Sequence, residues 1–95
     1  MQKVESVQVN PYRTRMVRVW GIVHKVYKEF CDDAKVTMSD FLSLLLYHVA
    51  FDEPLITYVL QNEFEMDFDE ASDLAEKLAN KMEEVGKILW GDENA

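Results

Sequence analysis

The chain has 95 residues, 48% of them apolar, with three glycines, two prolines and one cysteine, which suits a single domain that buries a core without disulfides or a structural metal. It contains no run of about eighteen apolar residues and no basic start followed by an apolar stretch, so neither a membrane span nor a secretory leader is expected and the cytoplasm is the default location. A net charge of −8 and a pI near 4.6 argue against broad nucleic-acid binding, because polyphosphate attraction needs a basic footprint, which only a local basic face could provide here.

Residues 1–10 read as an extended arm in which Val7 and Val9 alternate with Ser6 and Gln8. Asn10 and Pro11 then form a helix start signal, since Asn can accept an orphan N–H and proline has none to leave unsatisfied. A helix is predicted over 11–34. On it Tyr12, Met16, Val19, Trp20, Val23, Val26, Tyr27, Phe30, Cys31 and Ala34 fall within an arc of roughly 140°.

Thr37, with Asp40 three residues on, is placed to cap a second helix over 38–51. That helix is apolar nearly all round, which predicts burial on every side, either centrally or in an oligomer interface. Asp52-Glu53-Pro54 ends it and starts a third helix over 54–63, whose Leu55, Ile56, Val59 and Leu60 form an inward stripe. The alternating run Glu63–Asp69 leads to a last helix over 68–90, capped by Asp67. Its Ala71, Ala75, Leu78, Met82, Val85 and Leu89 step as a heptad seam. Asp73–Lys77 and Glu83–Lys87 are acid-to-base pairs at i, i+4. Gly91 closes the helix and residues 92–95 are a polar tail.

Four helices with short connections predict an all-α fold, a compact four-helix bundle spanning one domain over 11–91. The helix count, lengths and amphipathic pattern over residues 11–90 resemble the saposin-like fold, in shape only. That family carries a set of disulfide cysteines where this chain has Cys31 alone. The resemblance implies lipid as an alternative partner. A second resemblance is local. TRMVRVW (Thr14–Trp20), then GIVHKVYKEFCDDA, then VTMSDFLSLLLYHV resembles a ribbon-helix-helix DNA-binding unit, in which a strand would read DNA through Thr14, Met16 and Arg18. The chain departs from that pattern in lacking a glycine at the Ala34-Lys35 turn and in keeping a helical period through residues 12–20.

Glu65, Asp67, Asp69, Asp73 and Glu76 occupy oxygen-ligand slots of a twelve-residue calcium loop, where a hard cation needs converging carboxylates. Glu70 stands where that loop needs glycine, so these acids are expected to gather at the last helix's N-terminus, where the dipole favours them, and no metal or cofactor is expected. Cys31 reads as a buried thiol, His48 as a hydrogen-bonded core histidine and His24 as solvated. No phosphate loop, no paired cysteines and no nucleophile with a base beside it appear, and the protein is expected not to be an enzyme.

Charge is unevenly spread. Residues 1–30 carry six bases against two acids, and residues 31–95 four bases against sixteen. Arg13, Arg15 and Arg18 fall in the first turns of the expected long helix, where its dipole prefers acids, and Asp32 and Asp33 in its last turn, each at a cost of about 0.3–1 kcal/mol. Such departures mark contact positions. The three arginines are therefore the expected partner-binding residues, unless they meet carboxylates of the last helix. The expected function is a non-catalytic helical interaction module that binds a protein partner or forms a homo-oligomer.

Overall fold

Two short segments decide where the first helix can begin. Thr14, Val17 and Val19 are β-branched and lose χ1 freedom in a helix, and Gly21 inside one would cost about 1 kcal/mol. In the computed structural model, which describes residues 12–91, the first helix starts only at that glycine. The described residues are 76% helical, with four helices and no strand. They are α1 (Gly21–Ala34), α2 (Met38–Val49), α3 (Glu53–Phe64) and α4 (Phe68–Trp90). The protein is all-α, as its sequence pattern requires. The expected helix over 11–34 is corrected to 21–34, because residues 13–20 are not helical. The arm at 1–10, the start signal at Asn10–Pro11 and the tail at 92–95 lie outside the described residues.

The chain forms two units, Met1–Ser39 and Asp40–Ala95. In the first, α1 ends on Lys35 in the left-handed region (φ 62°, ψ 42°), with Lys35 N–H donating to the Asp32 carbonyl and Val36 N–H to that of Cys31. This is the two-bond helix stop that usually employs glycine. A lysine there carries a Cβ clash worth about 1 kcal/mol. Lys35→Gly is therefore expected to stabilise the protein by about 0.5–1 kcal/mol, the gain being trimmed by glycine's larger unfolded-state freedom. Urea denaturation checks this, and an unchanged midpoint would show that residue 35 is not held in the left-handed region.

In the second unit the helix ends follow their sequence signals. Asp52 Oδ1 accepts the Leu55 N–H at 3.2 Å, and Pro54 stands in the first turn of α3. Asp67 Oδ1 accepts the N–H groups of Asp69 (2.7 Å) and Glu70 (3.2 Å), and Gly91 N–H closes α4 on the Lys87 carbonyl at 2.8 Å. Helices α3 and α4 pack together. Ala71, Ala75 and Ala79 are buried at four-residue spacing, and their small side chains allow close approach. On α3 the covered side is Ile56, Thr57, Leu60 and Gln61, one position round from the expected stripe, so Leu55 and Val59 stay exposed.

Tyr47 holds the far end of α4. Its ring meets Trp90 (centroids 5.0 Å apart), Phe51 (5.2 Å) and His48 (5.1 Å) edge-on, a geometry worth about 0.5–1.5 kcal/mol per pair. A Cβ on Gly86 would lie 2.5 Å from the Tyr47 hydroxyl oxygen and 3.5 Å from ring carbon Cζ. Gly86→Ala should thus destabilise the protein, because overpacking costs about 1–3 kcal/mol against about 1 kcal/mol of helix propensity gained. In a Tyr47→Phe background the clash is gone, and the same change should stabilise by about 1 kcal/mol. Thermal melts of the four proteins test the reversal of sign.

The buried residues are small: Cys31, Ala50, Thr57, Ala71, Ala75 and Ala79. No residue of α2 is fully buried, and Leu44 and Leu46 are exposed. The expected burial of α2 on all sides is therefore not supplied by this chain. His48 is exposed, which corrects the expected core histidine, and stands in the last turn of α2, where a base suits the dipole.

Candidate functional site

Residues 13–20 run directly into α1 with no cap side chain, Trp20 (φ −57°, ψ 137°) being the last non-helical residue. Among the described residues, no backbone–backbone hydrogen bond involves residues 13–19. Their side chains are as open as their backbone: Met16 is 98% exposed, Val17 83% and Trp20 81%. Three arginines and the β-branched Thr14, Val17 and Val19 therefore lie in one exposed segment.

The three arginines belong to this segment. They do not stand in the first turns of a helix, so the dipole conflict expected for Arg13, Arg15 and Arg18 does not arise. Arg15 Nη1 donates to the Thr14 carbonyl at 3.3 Å, and none of the three takes part in an ion pair among the described residues. Those ion pairs are Lys25–Glu29 (2.7 Å) and Lys28–Asp32 (3.0 Å) on α1, not the Asp73–Lys77 and Glu83–Lys87 pairs expected on α4. Both are exposed and contribute about 0.3–0.5 kcal/mol each. Lys28 also places a cation beside Asp32 in the last turn of α1, which relieves one of the two dipole conflicts there, the other being that of Asp33. From Tyr12 to Phe30 the sequence holds Arg13, Arg15, Arg18, Lys25 and Lys28 against Glu29 alone.

The calcium-loop carboxylates are not brought together. Because α4 begins at Phe68, Asp69, Asp73 and Glu76 ride on continuous helix, and Asp67 is spent on capping. Glu65 is in the left-handed region (φ 56°) just past α3. Among the described residues no group of three or more His, Cys, Asp or Glu side chains could hold a metal ion. Cys31 is a free, buried thiol. No helix among the described residues is long and apolar enough to cross a membrane.

Sequence reasoning missed one feature, a cleft in the second unit lined by Phe51, Thr57, Tyr58 and Phe68 among others. Its signal was compositional: residues 51–76 hold nine carboxylates and no Lys, Arg or His. Comparison with protein-family models, with characterised proteins and with solved structures gives no match to this chain.

Proposed function

We propose that the chain is a non-catalytic DNA-binding regulator of the ribbon-helix-helix kind, acting as a homodimer in which residues 13–20 of two copies pair as an antiparallel ribbon. One observation carries the proposal: an exposed, β-prone segment at 13–20, of which residues 13–19 make no backbone–backbone hydrogen bond among the described residues, is followed at once by α1, a tight left-handed turn at Lys35, and the apolar α2. The turn glycine whose absence weakens the sequence resemblance is replaced by Lys35 in the conformation a glycine would adopt. A two-stranded ribbon fits the major groove of duplex DNA.

In an extended segment alternate side chains share a face. Val17 and Val19 then turn towards the helices of the dimer, with Arg15 on the same side nearer the phosphates. Thr14, Met16 and Arg18 turn towards DNA. Arg18 suits guanine O6 and N7, Met16 a thymine methyl, and Thr14 either kind of base edge. Arg13, at the ribbon end, suits phosphate. With so few reading side chains per copy, modest sequence preference is expected over a strong electrostatic base. A second copy would also cover Leu44 and Leu46, which one chain leaves open.

Sedimentation equilibrium and fluorescence anisotropy with a mixed-sequence duplex at about 50 mM salt test the proposal, where phosphate contacts dominate affinity. A dimer that binds duplex, with affinity falling steeply as salt rises, is the expected result. A monomer that leaves the duplex free at low salt would refute it. A protein that ignores duplex but binds anionic vesicles would favour the lipid alternative.

A further inference from the structure

Within the unit Asp40–Ala95, a cleft of about 610 Å³ is lined by Phe51, Glu53, Thr57, Tyr58, Gln61 and Phe68 together with Pro54 and Ser72. We propose that this cleft docks a basic peptide segment of another protein, carrying an aromatic anchor next to Lys or Arg. None of its lining residues belongs to 13–20, and the inference does not depend on DNA binding.

Three observations support it. Phe51, Tyr58 and Phe68 are exposed at the cleft, Phe68 by 59%, so apolar area awaits cover at a concave site of the size that takes one large side chain and its flanks. Charge comes next. Glu53 itself lines the cleft, and carboxylates stand next in sequence to other lining residues: Asp52 after Phe51, Asp69 after Phe68, Asp73 after Ser72. All four are exposed, and no base lies between residues 51 and 76. A cleft set in one sign of charge attracts the opposite sign and repels its own, which selects a basic segment over an acidic or neutral one. The third is Thr57. It is only 8% exposed, lines the cleft, and its hydroxyl has no hydrogen-bond partner among the described residues. A buried hydroxyl left unpaired is costly, and an occupant with a peptide carbonyl or an indole N–H would satisfy it.

The test uses the full chain and a short synthetic peptide with one Trp flanked by Arg and Lys, followed by fluorescence anisotropy. Saturable binding is expected, weakened several-fold between about 50 and 300 mM salt. Replacing the peptide's Trp with Ala should cost about tenfold, as should Phe68→Ala in the protein. Thr57→Val should weaken binding roughly fivefold through the lost hydrogen bond while raising the thermal midpoint of the free protein, because an unpaired hydroxyl is removed. That opposed pair of effects is not expected of a residue that only packs. Equal binding of the Trp and Ala peptides, an unchanged Phe68→Ala affinity, or no saturation at millimolar peptide would overturn the proposal. So would self-association of the full chain that Phe68→Ala abolishes, because the occupant would then be a second copy.

Discussion

Val17→Asp is expected to convert a dimer into monomers and to weaken duplex binding by about a hundredfold or more, the equivalent of one unpaired buried charge at about 3–5 kcal/mol. In the single chain Val17 is 83% exposed, and an acid there would be an ordinary surface change, within about 0.5 kcal/mol of neutral. The two accounts of residues 13–20 therefore differ by orders of magnitude at one residue. If the segment pairs with its copy, the twofold axis places both introduced carboxylates in the same ribbon, facing helices, and the penalty is incurred twice. Val17→Thr is the control: it keeps the β-branched shape that suits a strand and should retain the dimer. Sedimentation equilibrium of the two variants gives the answer. A Val17→Asp chain that remains dimeric and binds duplex like the parent would place the segment outside the interface and end the ribbon reading.

How far the fold was legible depended on what each stretch was asked to say. Asp67, the Ala71–Ala75 spacing and Gly91 defined α4 almost to the residue, because caps and periodicity are local and strong. The Asp52–Pro54 start of α3 was legible for the same reason. The beginning of α1 was not. Met16, Val19, Trp20 and Val23 satisfy a 3.6 period, yet Arg15, Val17 and Val19 satisfy a period of two equally well, and eight residues are too few to separate them. What decides is Gly21 and the β-branched pair Val17 and Val19, whose conformational cost a helix would have to absorb. Hydrophobicity alone also misplaced the covered side of α3. Leu55 and Val59 outrank Thr57 and Gln61 on any apolar scale, but it is Thr57 that is buried where α3 packs with α4, whose own buried residues are Ala71, Ala75 and Ala79. The surplus leucines and valines are left facing outward.

The same limit applies to α2 and to the candidate sites. An apolar pattern on every side of a helix does not say how much of it one chain covers, and here Leu44 and Leu46 are open. The arginines were legible as an anomaly, though for a reason the structure removes. Their placement conflicts with no helix dipole, since no helix includes them. Three guanidinium groups lie within six residues, in an exposed segment without an ion-pair partner among the described residues. Solubility does not require this in a chain whose net charge is already −8.

Replacing Arg13, Arg15 and Arg18 together with Gln should leave the stability of the isolated protein unchanged within about 0.5 kcal/mol. No ion pair among the described residues is lost, and no helix-dipole repulsion is relieved, because the residues precede α1. Duplex binding should respond very differently. A dimer would present six of these side chains, and each phosphate neutralised contributes about 0.9 to the slope of log K against log salt. If all six meet phosphate, the slope should flatten by about five. If Arg18 reads a base, as its alternation with Arg13 and Arg15 suggests, the two copies lose four phosphate contacts and the slope flattens by about four. The base-reading share then appears elsewhere. Arg18→Gln alone should narrow the gap between preferred and random duplex by about 1–3 kcal/mol per contact, whereas Arg13→Gln should weaken both duplexes alike. Anisotropy titrations at several salt concentrations, run on the triple variant and on the two single variants, separate these outcomes. An unchanged slope in the triple variant would show that the arginines never meet phosphate, and a stability loss above about 1 kcal/mol would return them to contacts inside the protein.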